Sequence, residues 1–138
     1  MKRIRLTPES SARMARIRQR GTKIETEVAV VLRELGHYYR KNVKKLPGSP
    51  DFANRSRRWA IFVNGCYWHH HTNCSKATIP KSNRGFWTAK FRDNRRRDAR
   101  SVISLRKAGF RVVVVWECQR ERIRNRLAKV LEPRRVDA

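Results

Sequence analysis

Residues 86–118 read FWTAKFRDNRRRDARSVISLRKAGFRVVVVWEC, and they decide the fold. From Phe86 to Lys107 no residue breaks a helix, and Phe91, Val102 and Leu105 fall on one stripe. The spacing predicts a long amphipathic helix with a basic outer face, ending at Gly109. Arg111 to Glu117 follows, and its run Val112 to Val115 has the apolar density of a strand buried on both faces. A helix feeding a doubly buried strand is a unit of an α/β fold.

Working outward, the segment Arg58 to Asn64 predicts a second good strand. Before it, Leu46 to Pro50 is a loop leading to a short segment at Asp51 to Ala53, and His37 to Val43 is a further candidate strand. From Thr22, the positions Ile24, Val28, Val31, Leu32 and Leu35 have helical spacing that stops at Gly36. At the other end, Gln119 to Leu131 puts Ile123, Leu127, Val130 and Leu131 on one side of a closing helix. Early strands joined by short loops make the sheet mixed, within an α/β sandwich. One domain over 1–138 is expected, with residues 1–20 as a basic arm and 119–138 as closing helix and tail. In the arm, Ser10 and Ser11 are candidate caps for a short helical piece carrying Met14 and Ile17.

Thirty-five Lys and Arg against eleven Asp and Glu give +24, which points to a polyanionic partner bound in a salt-sensitive way. Nucleic acid fits, but charge alone does not separate a ribosomal or packaging protein from a DNA-binding one. No apolar run approaches the roughly 20 residues that span a bilayer, and Met1 to Ser11 lacks the apolar middle of a signal peptide. No membrane partner and a cytoplasmic, nucleoid-associated location are therefore expected. In a reducing compartment, three cysteines are better suited to metal binding or burial than to a disulfide.

The cysteine spacing is informative. Cys66-x4-His71-x2-Cys74, with Cys118 after the buried strand, supplies three thiolates and an imidazole, a donor set for a closed, structural tetrahedral zinc. The alternative is three buried thiols beside a His-rich loop. Cys66 to Asn83 has no apolar period, so the excursion needs something other than apolar burial to hold it, and a metal would serve. His69, His70 and His71 lie mid-chain, away from the ends where a tag would sit. With His71 as ligand, His69 is available for acid–base work or is a polar structural residue. Asp51, after Pro47 to Pro50, offers an oxygen ligand for a hard cation such as magnesium, or is an ordinary turn aspartate.

Asp98 shares a helix face with Phe91, Asn94, Val102 and Leu105. A carboxylate on an inward stripe needs a partner, either His69, whose ring it would orient, or one of the many arginines. Glu25 is either a further acidic group near a metal or the far end of a capping box begun at Thr22. Tyr67, Trp68, Phe86 and Trp87 are core aromatics or surfaces for stacking on bases.

Taken in order, MARI (14–17), TKIE (22–25), LPGSPD (46–51), IFVNGCYWH (61–69), FW (86–87), Asn94-x3-Asp98 and VWEC (115–118) closely resemble the very-short-patch-repair (Vsr) endonucleases. The resemblance covers roughly residues 10 to 120. It implies a restriction-endonuclease-like fold and a strand-specific nick 5′ of the T in a T:G mismatch, the product of 5-methylcytosine deamination. It also implies magnesium on Asp51 and the Val63 carbonyl, His69 and Asp98 assisting the attacking water, and Glu25 near the metal. Cys66, His71, Cys74 and Cys118 match the structural zinc ligands. Tyr67, Trp68 and Trp87 match an aromatic wedge on the major-groove side, the arm with Met14 and Ile17 enters the minor groove, and Lys90 and Asn94 match positions reading the mismatched pair.

There are departures. Asn64 stands where many relatives have histidine, and Tyr67 where Phe is usual. The second acid and lysine of ordinary restriction enzymes are absent from the strand after Asp51. A monomer is expected, acting on double-stranded mismatched DNA, with repair helper proteins as further partners. The competing functions are a nuclease with another target and a non-catalytic basic nucleic-acid-binding protein.

Overall fold

The computed structural model describes residues 23–131. The arm with Ser10, Ser11, Met14 and Ile17, the Thr22 cap and the tail after Leu131 lie outside the described residues. The elements run α1 (Lys23–Glu34), β1 (Arg40–Lys41), β2 (Phe52–Asn54), β3 (Trp59–Asn64), α2 (Arg84–Lys107), β4 (Arg111–Trp116), a 3-10 turn (Glu117–Arg122) and α3 (Ile123–Leu131). The sheet has the order β1-β2-β3-β4. The first two pairings are antiparallel and β3 to β4 is parallel, so the expected mixed α/β sheet is present.

Helix α1 stops as its spacing predicts. Gly36 adopts φ +80, its N–H bonds Arg33 O at 3.1 Å and His37 N–H bonds Leu32 O at 2.9 Å, the paired closure of a glycine-terminated helix. Its buried face, Ile24, Val28, Ala29 and Leu32, packs with Ile123, Leu127 and Leu131 of α3 on one side of the sheet, over Phe52, Trp59, Ile61, Val63, Val113 and Val115. Each Val, Leu, Ile or Phe side chain among them contributes about 1.5–3 kcal/mol when fully buried. The exposed Glu27–Arg120 and Glu34–Arg124 pairs that also link α1 to the last segment are screened by solvent and contribute little. The apolar seam therefore holds these helices. On the other face, Leu105 of α2 packs with Ala53, Ala60 and Val112, joined by half-buried Leu46, Phe62 and Val102. Helices thus cover both faces, which is why Val112, Val113 and Val115 are all buried.

Three expectations need correction. The strand expected over His37 to Val43 shrinks to Arg40–Lys41, because Asn42 turns to φ 49 and breaks the extended run, although Asn42 N–H still bonds Asp51 O at 3.0 Å. The long helix begins at Arg84 rather than Phe86. The closing helix does not run from Gln119, which sits at φ −114 and ψ 30 inside the 3-10 turn, so regular α-helix starts only at Ile123. Residues 66–83 form no helix or strand, as their composition requires.

Candidate functional site

The carboxyl ends of parallel strands are where open α/β sheets hold their ligands. Here β3 ends at Asn64 and β4 at Trp116, paired to each other. Because β2 runs antiparallel to β3 with Phe52 opposite Ile61, Asp51 arrives beside the end of β3. The Val63 N–H donates to Asp51 Oδ2 at 2.7 Å, fixing the carboxylate against the strand. Just upstream, Gly48 (φ +76) and Ser49 (φ 49) make the tight turn that delivers it.

Past Asn64 the chain winds through successive turns. His69 N–H bonds Gly65 O at 3.2 Å, and His71 N–H bonds Cys66 O at 2.9 Å, with His70 left-handed at φ 46 between them. The two flanking imidazoles have different partners. His69 Nδ1 meets Asp98 Oδ2 of α2 at 2.6 Å, with both side chains about 70% covered. His71 Nδ1 lies 3.7 Å from Cys66 Sγ and 3.3 Å from Cys118 Sγ. Trp116 ties the two together: its ring stacks on His71 at 4.0 Å and meets His69 edge-on at 6.5 Å.

The donor atoms of Cys66, His71, Cys74 and Cys118 all lie within 4.8 Å of one another. A tetrahedral zinc separates such ligands by about 3.5–3.8 Å, so these residues fit a metal ion. Their chemistry agrees. Burial pushes the Cys66 thiol up to about 12, while the Lys76 backbone amide holds the Cys74 thiol below its ordinary value. A bound cation supplies the positive charge that an ionised, buried Cys66 needs.

Asp51, Val63, Asn64, Trp68, His69, Lys90, Asn94 and Asp98 come together around one cavity of about 480 Å³. Asn64 is buried at 6% exposure. Asn94 Nδ2 donates to Trp68 O at 3.2 Å, tying α2 to the histidine loop. Among the aromatics, Trp68 is half-buried and lines the cavity, whereas Tyr67 and Trp87 are 6% and 3% exposed and pack with Phe91 behind it. Glu25, on the first turn of α1, is not among the cavity's lining residues. Gly48, Phe62, Arg97 and Ser101 also line it and were not singled out by sequence. Arg97 is masked by the run Arg95 to Arg97, and only its position relative to Asp98 and Asn94 on the helix could have marked it.

An oriented carboxylate, a His–Asp pair and nearby cations in a cleft of a +24 chain have the make-up of a nuclease. Residues 5–76 match the family described as DNA mismatch endonuclease Vsr. The chain is 38% identical to the type II nicking enzyme V.XorIIP of Xanthomonas oryzae pv. oryzae, over 94% of this chain and 97% of that relative. It is 39% identical to the type II nicking enzyme V.NmeAIP of Neisseria meningitidis serogroup A, over 91% and 94%. It is 40% identical to the DNA mismatch endonuclease Vsr of Escherichia coli K12, over 78% and 69%. The chain belongs to the Vsr family of DNA endonucleases; it is a DNA-cleaving hydrolase, and DNA is its partner. Among the described residues, no helix is long and apolar enough to cross a membrane.

Proposed function

We propose that this endonuclease nicks one strand of duplex DNA on the 5′ side of the T in a T:G mismatch, the lesion left by 5-methylcytosine deamination. The observation that carries the proposal is the convergence of Asp51 and the His69–Asp98 pair on one cleft edged by Lys90 and Asn94. Asp51, with the Val63 carbonyl, holds a magnesium ion, which when bound supplies Lewis-acid polarisation of the scissile phosphate. Asp98 accepts from Nδ1–H of His69, so Nε2 is the basic nitrogen that takes the proton of the attacking water. The P–O3′ bond breaks as water adds, leaving a 3′-hydroxyl and a 5′-phosphate. Lys90 and Asn94 face the mismatched bases. Trp68 is the leading edge of the aromatic wedge, with Tyr67 and Trp87 packed as its support, and the arm carrying Met14 and Ile17 approaches from the minor groove. Glu25 adds negative charge at the periphery of the magnesium site. Zinc on Cys66, His71, Cys74 and Cys118 is structural, and the sheet is of the restriction-endonuclease type. The protein acts as a monomer at the nucleoid, because one asymmetric mismatch offers no two-fold symmetry.

Relatives named as type II nicking enzymes favour a second reading, nicking governed by sequence. One labelled-duplex series distinguishes them: T:G, T:A and C:G versions of several contexts, with magnesium or EDTA. A magnesium-dependent nick confined to the T strand of T:G duplexes supports mismatch specificity. Equal nicking of paired duplexes supports the second reading, and tight binding without any product would reduce the chain to a binding protein.

A further inference from the structure

With Lys90 assigned to the mismatched bases, the scissile phosphate has so far been given only the magnesium ion that Asp51 would hold, and no side-chain cation. A phosphodiester carries one negative charge and gains another as water adds, so a preorganised positive group at its non-bridging oxygens favours the transition state. Asp51 is itself a carboxylate, and His69 is engaged by Asp98. The strand beside Asp51 provides no lysine, reading Ile61, Phe62, Val63 and Asn64.

Helix α2 provides what β3 lacks. Lys90, Asn94, Arg97, Asp98 and Ser101 all line the cavity, because steps of three and four residues keep them on one stripe. Arg95 and Arg96, two and one positions before Arg97, are rotated off that stripe and do not line the cavity. Arg97 immediately precedes Asp98 in sequence, and its Nη2 donates to Asn94 Oδ1 at 3.1 Å. Asn94 in turn donates to Trp68 O at 3.2 Å. Two hydrogen bonds thus tether the guanidinium to the loop that carries His69. This contact uses one of the five N–H donors of the group, and a planar fork suits paired phosphate oxygens better than an ammonium does.

We propose that Arg97 is a catalytic residue of this cleft, its guanidinium taking the non-bridging oxygens of the scissile phosphate of bound DNA. The assignment rests on the nuclease reading above and adds to it a side-chain cation at the reacting group, beside the metal that Asp51 would hold. Arg97 is exposed, so its replacement leaves the core intact.

The test is single-turnover nicking of a T:G duplex with enzyme in excess, with the Kd for the same duplex measured in EDTA. Arg97→Gln is expected to slow nicking by about 10²–10³-fold while weakening binding by less than about tenfold. Arg97→Lys recovers part of the rate, and Arg96→Gln keeps the wild-type rate while making binding less salt-dependent. A wild-type protein that nicks no duplex overturns both the nuclease reading and the role of Arg97. A wild type that nicks, beside an Arg97→Gln variant within about threefold of it, overturns Arg97 alone. So does a loss confined to Kd, or an Asn94→Ala variant that is equally slow and made no slower by adding Arg97→Gln, since Arg97 would then act only by holding Asn94.

Discussion

His69 and Asp98 stand 29 residues apart in the chain and meet through a single contact of 2.6 Å between Nδ1 and Oδ2. The contact joins the loop after β3 to the cleft-facing stripe of α2, so it closes the site as well as orienting the ring. With Nδ1–H committed to the carboxylate, Nε2 is the nitrogen left to accept a proton. Asp98→Asn keeps the size of the side chain and changes what it can accept, favouring the wrong tautomer of His69. The expected outcome is a fall of about 10²–10⁴-fold in single-turnover nicking with DNA affinity changed only a few-fold. Rates within threefold of wild type would remove the pair from the mechanism.

The four-donor cluster leads to a prediction about folding. Residues 66–83 have no helix or strand, and their loop is anchored where Cys66, His71, Cys74 and Cys118 meet. Purified protein is expected to carry zinc in equimolar amount, and Cys74→Ala to lose it with a lower Tm. Elemental analysis beside thermal unfolding reads both; wild-type protein that is zinc-free and equally stable would contradict the assignment.

Two glycines separate backbone conformation from close packing. Gly36 and Gly48 both have positive φ, +80 and +76, but a Cβ on Gly36 meets open space while one on Gly48 comes within 2.6 Å of Ser101 Cβ. Gly36→Ala is expected to cost about 1 kcal/mol, the left-handed penalty alone. Gly48→Ala should cost more, about 2–3 kcal/mol, and also slow nicking, because the displaced loop carries Asp51. Denaturant midpoints and nicking rates check this, and equal effects of the two changes would show that the Ser101 contact does not position the loop.

His37 gives a pH dependence of known sign. Burial, reinforced by Arg111 and Arg57, holds its pKa below the ordinary 6.5, beside the Trp59 ring at 6.1 Å. The unfolded chain therefore binds more protons here than the native one below pH 6.5. The contribution of this group is most favourable above that pH and is lost as the pH falls toward the folded value. Urea midpoints at pH 7.5 and 5.5 should differ less for His37→Gln than for wild type; an unchanged difference would mean that His37 titrates alike in both states.

Much of this was legible in sequence where one force acts alone. The α1 stripe ends at Gly36 because only backbone freedom matters there, and within the Val112 to Val115 run Val112 is buried on one face of the sheet and Val113 and Val115 on the other, with Val114 half-buried. That Asp98 needs a partner was legible because an inward carboxylate must pair, while the choice of His69 over one of the arginines is made by the fold. Other features depended on tertiary partners. β1 is two residues long because the turn at Asn42 ends it, which no propensity announces. Tyr67 and Trp87 could have been exposed or buried on composition, and the packing of Phe91 decides for burial. Arg97 is chemically identical to its neighbours, and only the fold distinguishes it.

The central claim is that Asp51, fixed by the Val63 N–H, is the cation-holding carboxylate of a DNA-cleaving cleft. The most direct measurement is the single-turnover nicking rate of Asp51→Ala against wild type on one T:G duplex in magnesium, with DNA affinity measured in parallel. Loss of nicking with affinity retained is the predicted result. An Asp51→Ala protein that nicks at the wild-type rate would contradict it.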